Sequence, residues 1–351
     1  MTSIAAALDA PSRPHVPAAP AVKRHHRPLP LRVGTRASPL ALKQTRDFLG
    51  LLTRFCPVLR GMDAFQERAI VTTGDMVQDR RLAEIGGKGL FSKEIHEALA
   101  DGRIDFAVHS LKDLETALPP GIVLGCTLTR EDARDVLILG DERPDADPAD
   151  PYAVLRHGAK VGTSSVRRQA QLLHARPDLR MSLIRGNVQS RLGKIRDDQY
   201  DASLLALAGL RRLGLEAEAT VVIDSDIMVP AAGQGIVGIT VREHDTELRA
   251  LLAAIEDPQA RAVATAERAM LALLDGSCAT PIGGHARVLA DGSLRLTGLV
   301  ARADGSFLLK RSLSGALADA ERLGTALGES LKADSPSDIF QGARGYLEAQ
   351  A

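Results

Sequence analysis

The segment DGSCATPIGG, residues 275–284, places one cysteine among small residues, glycines and a proline. A buried structural cysteine normally lies within an apolar run, where it packs like a small hydrophobic side chain. The residues around Cys278 instead predict a thiol displayed on a loop. Cys56 and Cys126 are far from it in sequence, with no metal-ligand spacing, which favours a reducing compartment and predicts neither disulfides nor a metal site.

Charged side chains form a second set of candidates, because they follow the predicted strands LRVG, IDFAVH, AKVG and MSLI. In the order of those strands they are Arg36, then Lys112 and Asp113, then Arg167 and Arg168, then Arg185 and Arg191. Ligands of open α/β sheets bind beyond the carboxyl ends of the strands, so these charges are predicted to converge on one cleft.

Each of these residues also has a structural interpretation. A single arginine can be a solvated charge or an ion-pair partner, and Asp113 can be a helix N-cap. Arg167 and Arg168 lie in the first turn of a predicted helix, where the helix dipole disfavours cations and a bound anion would compensate. Replacing Arg168 by leucine is therefore expected to weaken anion binding without lowering thermal stability.

Three further polar residues are candidates with plain alternatives. Ser110 can simply end a strand, and Ser164 or its neighbour Ser165 can cap the helix VRRQAQLLHA. Lys88, in the segment GGKGLF, either lies in a loop before a helix or covers a polyanionic ligand.

The elements that position these residues alternate between short apolar strands and helices from Leu31 onward, which predicts sheets built from βαβ units. Ser38 and Pro39 indicate a helix start, and Gly102 indicates a helix end. After a helix in DPQARAVATAERAMLALL, two ADGS turns separate alternating strands and predict an antiparallel meander in a smaller α+β domain. The segment GQGIVG runs into a strand rather than a helix, which argues against a dinucleotide site.

Composition excludes some functions and suggests the organisation of the chain. The 351 residues include 44 basic and 44 acidic side chains, no Trp and 3% aromatic residues, which disfavours nucleic-acid binding. A chain of this length indicates two or three domains. Residues 1–30 are rich in Pro and Ala without an apolar run, so we expect a disordered extension, with an organelle transit peptide as the alternative and no membrane span.

The chain resembles the porphobilinogen deaminase family, also called hydroxymethylbilane synthases. The resemblance runs from about residue 31 to 285 and rests on these segments: VGTRASPLAL, TTGD, GGKGLFSKEI, DFAVHSLKD, REDARD, VGTSSVRRQAQL, LIRGNVQSRL, LALAGLRRLG, PAAGQGIVGI, TAERAM and GSCATPIGG. It implies a transferase that condenses four porphobilinogen molecules with loss of ammonia and then releases hydroxymethylbilane by hydrolysis.

The resemblance also assigns roles to residues. It implies a dipyrromethane cofactor joined to Cys278 by a thioether bond, and Asp113 as the catalytic aspartate. Residues at positions that bind cofactor and substrate carboxylates are Arg36, Lys88, Ser110, Lys112, Ser164, Arg167, Arg168, Arg185 and Arg191. Two departures from the family pattern are Glu115, where a proline is usual, and GSCATP in place of a GGCQVP-like loop.

The implied fold is α/β, with two domains like type II periplasmic binding proteins and a smaller α+β domain. The first two have mixed, mainly parallel sheets, and the third has a three-stranded antiparallel sheet. The expected domains are 31–131 with 231–252, then 132–230, then 253–351. The resemblance further implies a cytoplasmic monomer, without nucleic-acid, membrane or metal partners, whose product passes to uroporphyrinogen-III synthase.

Two other functions remain open on the sequence. The fold alone would suit a non-catalytic protein that traps an anion between two lobes, although such a protein needs neither Asp113 nor Cys278. A thiol redox sensor would use Cys278, but the sequence offers no resolving cysteine nearby.

Overall fold

The structure, a computed structural model, describes residues 28–77, 89–140, 144–274 and 280–340. The extension predicted at residues 1–30 therefore lies almost entirely outside the described residues. No helix in these ranges is long and apolar enough to cross a membrane.

The first sheet is mixed and receives its fourth strand in spatial order from a distant part of the chain. Its strands are β1 (Leu31–Arg36), β2 (Phe65–Ile70), β3 (Phe106–Ser110), β4 (Ile122–Thr127) and β10 (Val237–Arg242), numbered in chain order. Their order is β2-β1-β3-β10-β4. β1 is parallel to β2 and β3, whereas β10 is antiparallel to β3 and β4, so β10 alone of these five strands is reversed.

The second sheet repeats this arrangement. Its strands are β5 (Asp135–Ile138), β6 (Lys160–Gly162), β7 (Arg180–Ser182), β8 (Ala202–Ala206) and β9 (Val221–Val222), in the order β7-β6-β8-β5-β9. β6 is parallel to β7 and β8, and β5 is antiparallel to β8 and β9. Both sheets are thus mixed with four strands in one direction, which confirms the predicted sheet type.

The third sheet confirms the predicted antiparallel meander. It consists of β11 (Ile282–Val288), β12 (Leu294–Ala301) and β13 (Leu308–Gly315), each antiparallel to its neighbour. Its inner face packs on two helices described below, in a core that includes Leu296, Met270 and Leu327. The division of the chain into domains at the residues given above stays a prediction.

The described helices begin and end near the predicted signals. They are α1 (Pro39–Phe55), α2 (Thr73–Met76), α3 (Lys93–Ala100), α4 (Val166–Ala175), α5 (Val188–Arg196), α6 (Leu207–Arg212), α7 (Thr246–Ala253), α8 (Pro258–Leu273) and α9 (Ala320–Ala333). Ser38 caps α1 by accepting a hydrogen bond from the Ala41 amide. At α4 the cap is Ser165 rather than Ser164, because the Ser165 hydroxyl accepts from the Arg168 amide at 3.4 Å. The third sheet packs on α8 and α9.

Candidate active site

A short 3-10 turn, Leu111–Asp113, follows β3 and carries two of the candidate residues. Its first amide donates a hydrogen bond to the Ile236 carbonyl at 2.9 Å. Gly233 has φ of +76°, and a Cβ on it would lie 3.0 Å from the Lys112 amide nitrogen. Only glycine combines that backbone conformation with so close an approach. The segment GQGIVG therefore supports the turn of Asp113, and it leads into β10 as predicted.

Arg36, at the end of β1, lies beside Asp113. Its guanidinium donates to both carboxylate oxygens of Asp75, and its Nη1 lies 3.6 Å from Asp113 Oδ2. The guanidinium carbon is 4.1 Å from the centre of the Phe91 ring, a cation–π distance. Burial opposes the charge of Arg36, but its bond to Asp75 and the charge of Asp113 outweigh burial and raise its pKa. Arg36 is therefore a fixed cation next to the carboxylate of Asp113.

Arg167 and Arg168 share one buried carboxylate. Asp135, fully buried at the start of β5, accepts from Arg167 Nη1 at 2.8 Å and from Arg168 Nη2 at 2.8 Å. Burial alone would raise the pKa of Asp135, but the two guanidinium charges hold it well below its usual range. The arginines are only 5% and 6% exposed. Two cations facing one anion leave a net positive charge at the start of α4.

Gln234 links this buried carboxylate to the turn of Asp113. Its side-chain amide donates to Asp135 Oδ1 at 2.8 Å, and its Oε1 accepts from Lys112 Nζ at 3.2 Å. Burial, with the charge of Arg168 in second place, lowers the pKa of Lys112 to about 8. The candidate residues of the first and second sheets thus belong to one network.

Arg185 and Arg191 are held mainly by neutral carbonyl groups. Arg185 Nη2 donates to the carbonyls of Gly74 and Val77, both at 3.0 Å, and so joins the chain after β7 to the chain after β2. Its Nη1 is buried and has no hydrogen-bond partner among the described residues. Arg191 Nε donates to the Gly186 carbonyl at 2.9 Å, and burial together with the charges of Arg168 and Arg185 lowers its pKa to about 10.

The charges of the site fit a ligand with several carboxylates. Six cationic side chains interact here with three carboxylates, those of Asp75, Asp113 and Asp135. The cations are Arg36, Lys112, Arg167, Arg168, Arg185 and Arg191. Arg185 Nη1, which has no partner within the described ranges, is a donor that a carboxylate oxygen could satisfy. The residues present therefore fit the polycarboxylate cofactor that the sequence implies.

Of the four remaining predicted site residues, the structure describes two, Ser110 and Ser164. The Ser110 hydroxyl hydrogen-bonds the Gln44 side chain at 2.9 Å, next to the turn of Asp113. Ser164 is half-buried directly before the cap of α4. Cys278 and Lys88 lie outside the described residues. No group of three or more His, Cys, Asp or Glu side chains in the described ranges could hold a metal ion.

In sequence, the segment that contains Cys278 lies between two elements that contact the chain beside the turn of Asp113. It joins α8 to β11, and Glu267 of α8 is fully buried, paired with Arg130 at 2.6 Å. The second oxygen of Glu267 accepts from the Gly233 amide at 2.6 Å. On the other side, the Gly284 amide of β11 donates to the Pro230 carbonyl at 2.8 Å. Glu267 and Gly284 thus both contact residues 230–233, the segment that leads into β10 and supports the turn of Asp113.

Glu115, the departure from the family pattern, contributes to packing next to the site. Its Oε2 accepts from the Ser92 hydroxyl at 2.9 Å and lies 3.8 Å from His96 Nδ1. Its backbone carbonyl accepts from Arg268 of α8 at 2.6 Å. Glu115 thereby joins the start of α3 to the segment that follows Asp113.

Four residues of this network were not singled out from the sequence: Asp75, Phe91, Asp135 and Gln234. Asp75 ends the segment TTGD, and Gln234 lies between two glycines of GQGIVG. Asp135 offered the clearest signal, because it is an acid that opens the apolar strand DVLI and is fully buried there. A buried acid requires a cationic or hydrogen-bonding partner, and two arginines near a strand end were available.

Comparisons with known proteins agree with the resemblance. Residues 31–250 match the family model "Porphobilinogen deaminase, dipyromethane cofactor binding domain", and residues 262–333 match "Porphobilinogen deaminase, C-terminal domain". The porphobilinogen deaminase of Nitrobacter winogradskyi is 46% identical over 308 residues, covering 88% of this chain and 94% of that protein. That of Roseiflexus castenholzii is 47% identical over 301 residues, covering 86% and 95%.

Similar solved structures include the periplasmic VFT2 domain of BvgS from Bordetella pertussis, at 15% identity and a TM-score of 0.37, covering 68% of this chain and 92% of that one. Another is the substrate-binding protein of an amino acid ABC transporter, at 12% identity and a TM-score of 0.35, covering 64% and 91%. The family models cover most of the chain, and these two relatives cover 88% and 86% of it. This chain belongs to the porphobilinogen deaminase family.

Proposed function

We propose that this chain is a hydroxymethylbilane synthase, a transferase that joins four porphobilinogen molecules with loss of ammonia and releases hydroxymethylbilane by hydrolysis. One structural observation supports this activity in addition to family membership. Asp113, an accessible carboxylate with 30% of its side chain exposed, lies 3.6 Å from Arg36 in a site where cations outnumber carboxylates. A substrate with acetate and propionate groups needs the cations, and a reaction through a cation needs the carboxylate.

The cationic side chains would bind and orient carboxylates. Arg36 is oriented by Asp75, while Arg167 and Arg168 are oriented by Asp135, so their donors are fixed before a ligand arrives. Such preorganisation lowers the entropy cost of binding a multiply charged chain. Guanidinium groups suit this task because they pair with carboxylates through two parallel hydrogen bonds.

Asp113 would act on the reacting substrate. Loss of ammonia from the aminomethyl group of porphobilinogen leaves a cation. A nearby carboxylate stabilises that cation and can accept a hydrogen bond from a pyrrole N–H. Arg36 lies next to Asp113 and, with Asp75 as its main partner, helps to orient that carboxylate without neutralising it fully.

Cys278 would hold the dipyrromethane cofactor through a thioether, and the cofactor would supply a free pyrrole carbon for the first condensation. A thiolate is a suitable nucleophile for making such a bond, and small neighbouring residues leave room for a pyrrole. Side chains that would hold the cofactor carboxylates are Lys88, Ser110, Lys112, Ser164, Arg167, Arg168, Arg185 and Arg191.

The setting of the enzyme is part of the same proposal. A cytoplasmic location is supported by the need for a free thiol at Cys278, which a reducing compartment maintains. A monomer would suffice, because the candidate residues described above all come from one chain. The released product is a reactive open-chain tetrapyrrole, so a cyclising enzyme, uroporphyrinogen-III synthase, is expected to take it up.

Ammonia release separates this enzyme from an anion-binding protein. Incubation of the purified chain with excess porphobilinogen should release one ammonia for each porphobilinogen consumed, over many turnovers. Ammonia can be measured by a coupled assay and tetrapyrrole by absorbance after oxidation. Binding that saturates near one ligand per chain, without ammonia, would support the anion-binding alternative instead.

A further inference from the structure

The turn between β12 and β13 lies directly on helix α4. We call residues Ala303–Ser306 the docking turn. Gly305 has φ of +78°, and a Cβ built on it would lie 2.6 Å from the His174 amide nitrogen and 2.7 Å from the Leu173 carbonyl carbon. The main chain of the turn is therefore in contact with the main chain of the helix, an approach that only glycine permits.

Hydrogen bonds fix this contact at two points of the helix. Gln169 Nε2 donates to the Ala303 carbonyl at 3.0 Å, and His174 Nδ1 donates to the Gly305 carbonyl at 2.9 Å. Because the acceptor at His174 is a carbonyl, the ring must carry its proton on Nδ1. The docking turn thus binds the first half of α4 and its last turn.

Apolar packing continues the contact beneath the turn. Leu299 and Ala301 of β12 form a buried cluster with Ala170 of α4 and with Val229. The Val229 carbonyl in turn accepts from Arg167 Nη1 at 2.7 Å. A continuous set of contacts therefore runs from the third sheet through α4 to the arginine pair.

The helix that receives these contacts needs them to hold its position. α4 has ten residues, fewer than an isolated helix requires to be stable in water, so its position depends on what packs against it. Its first turn carries Arg167 and Arg168, and Gln169 and Ala170 follow immediately in the sequence. A shift of the helix would therefore move both guanidinium groups relative to the turn of Asp113.

We propose that the docking turn is a positioning element for substrate binding, through which the C-terminal domain sets the place of Arg167 and Arg168. This inference rests on the proposed function, in which that pair binds carboxylates. It implies that the third sheet, which follows Cys278 in the chain, also sets the position of residues that bind the growing product.

The chain contains its own control for this proposal. The same tetrapeptide, ADGS, forms the turn between β11 and β12, where Gly292 has φ of +80°. The aspartate accepts from the serine amide in both turns, at 2.9 Å from Ser293 and at 3.0 Å from Ser306. The difference is outside the turn, because a Cβ on Gly292 would meet nothing within 4 Å.

The test compares Gly305→Ala with Gly292→Ala in the full chain. Both variants force a side chain into a positive-φ conformation, so both carry the same local strain. Only Gly305→Ala must push the docking turn away from α4. We expect Gly305→Ala to raise the KM for porphobilinogen at least about fivefold, the effect of a displaced binding group. Gly292→Ala should keep the KM of the unmodified chain.

Variants of the two hydrogen bonds test the same contact without a steric clash, and they decide the question if Gly305→Ala does not fold. His174→Ala and Gln169→Ala should each raise the KM. His174→Asn, whose amide can donate near the place of Nδ1, should restore it. A contact that only stabilises the fold would lower the melting temperature in these variants and leave the KM unchanged.

The outcomes separate this inference from the proposed function. If the unmodified chain releases no ammonia from porphobilinogen, the proposed function fails and the positioning role fails with it. If the unmodified chain is active but Gly305→Ala and Gly292→Ala have equal KM values, the docking turn has no positioning role, although the enzyme assignment stands.

Discussion

The Asp113→Asn variant is expected to lose about 100-fold or more in kcat, the typical cost of removing a main electrostatic stabiliser from an active site. Asparagine keeps the shape of the side chain but removes the charge that would stabilise the cation formed when ammonia leaves. Steady-state ammonia release by the variant and the unmodified chain measures the loss.

Stability should hardly change in this variant, which makes the result easy to interpret. The Asp113 side chain is 30% exposed, and its contact with Arg36 is 3.6 Å long, so the pair contributes little to folding. Equal melting temperatures would show that lost activity reflects chemistry. A kcat within a few-fold of that of the unmodified chain would contradict the role assigned to Asp113.

Among the variants considered, Asp135→Asn is expected to lower the free energy of unfolding most, by about 3–5 kcal/mol. The reason is that it leaves two buried guanidinium groups without their shared anion. Asp135 is fully buried and bonds Arg167, Arg168 and Gln234, and a neutral amide in its place could not compensate the two guanidinium charges. The midpoint of urea unfolding, followed by circular dichroism, measures the change. The KM for porphobilinogen should rise as well, since both arginines lose their orientation.

An exposed pair gives the matched control. Asp226 is 55% exposed and pairs with Arg287 at 3.3 Å, and such surface pairs contribute about 1 kcal/mol or less. Asp226→Asn should therefore unfold close to the unmodified chain. If Asp135→Asn and Asp226→Asn had equal stability, that result would contradict the view that the bonds of Asp135 stabilise the cleft.

This network also corrects one expectation drawn from the sequence. Arg168 was expected to be replaceable by leucine without loss of stability, because a cation at a helix N-terminus is unfavourable on its own. In the structure Arg168 donates to Asp135 and to the Leu204 carbonyl at 2.8 Å. The replacement would leave that carbonyl without the donor and remove one of the two cations paired with a buried carboxylate, so we now expect a loss of stability.

Local signals in the sequence predicted individual strands and helices and the antiparallel sheet, whereas the mixed sheets were implied by the family resemblance. Apolar segments such as LRVG predicted strands, Ser38 and Gly102 indicated helix limits, and the two ADGS turns predicted the antiparallel sheet. The charged residues that follow β1, β3, β6 and β7 belong to one network, although these strands lie in two different sheets.

The partners of those arginines could not be predicted in the same way, because each pair joins residues far apart in the chain. Arg36 and its partner Asp75 are 39 positions apart in the sequence. Gln234 and Asp135, in the same network, are 99 positions apart. Local patterns carry no information about such distances. The sequence could therefore indicate that a charged cleft exists, but not which charges are already neutralised within it.

The intact mass of the purified chain tests the central claim most directly. Protein made in cells that synthesise porphobilinogen should be heavier than its chain by one dipyrromethane, and Cys278→Ser should have the mass of the chain alone. Cys56→Ser should keep the added mass, because Cys56 has no part in the proposed attachment. An unmodified mass for the wild-type chain would contradict the assignment of Cys278 as the cofactor attachment site.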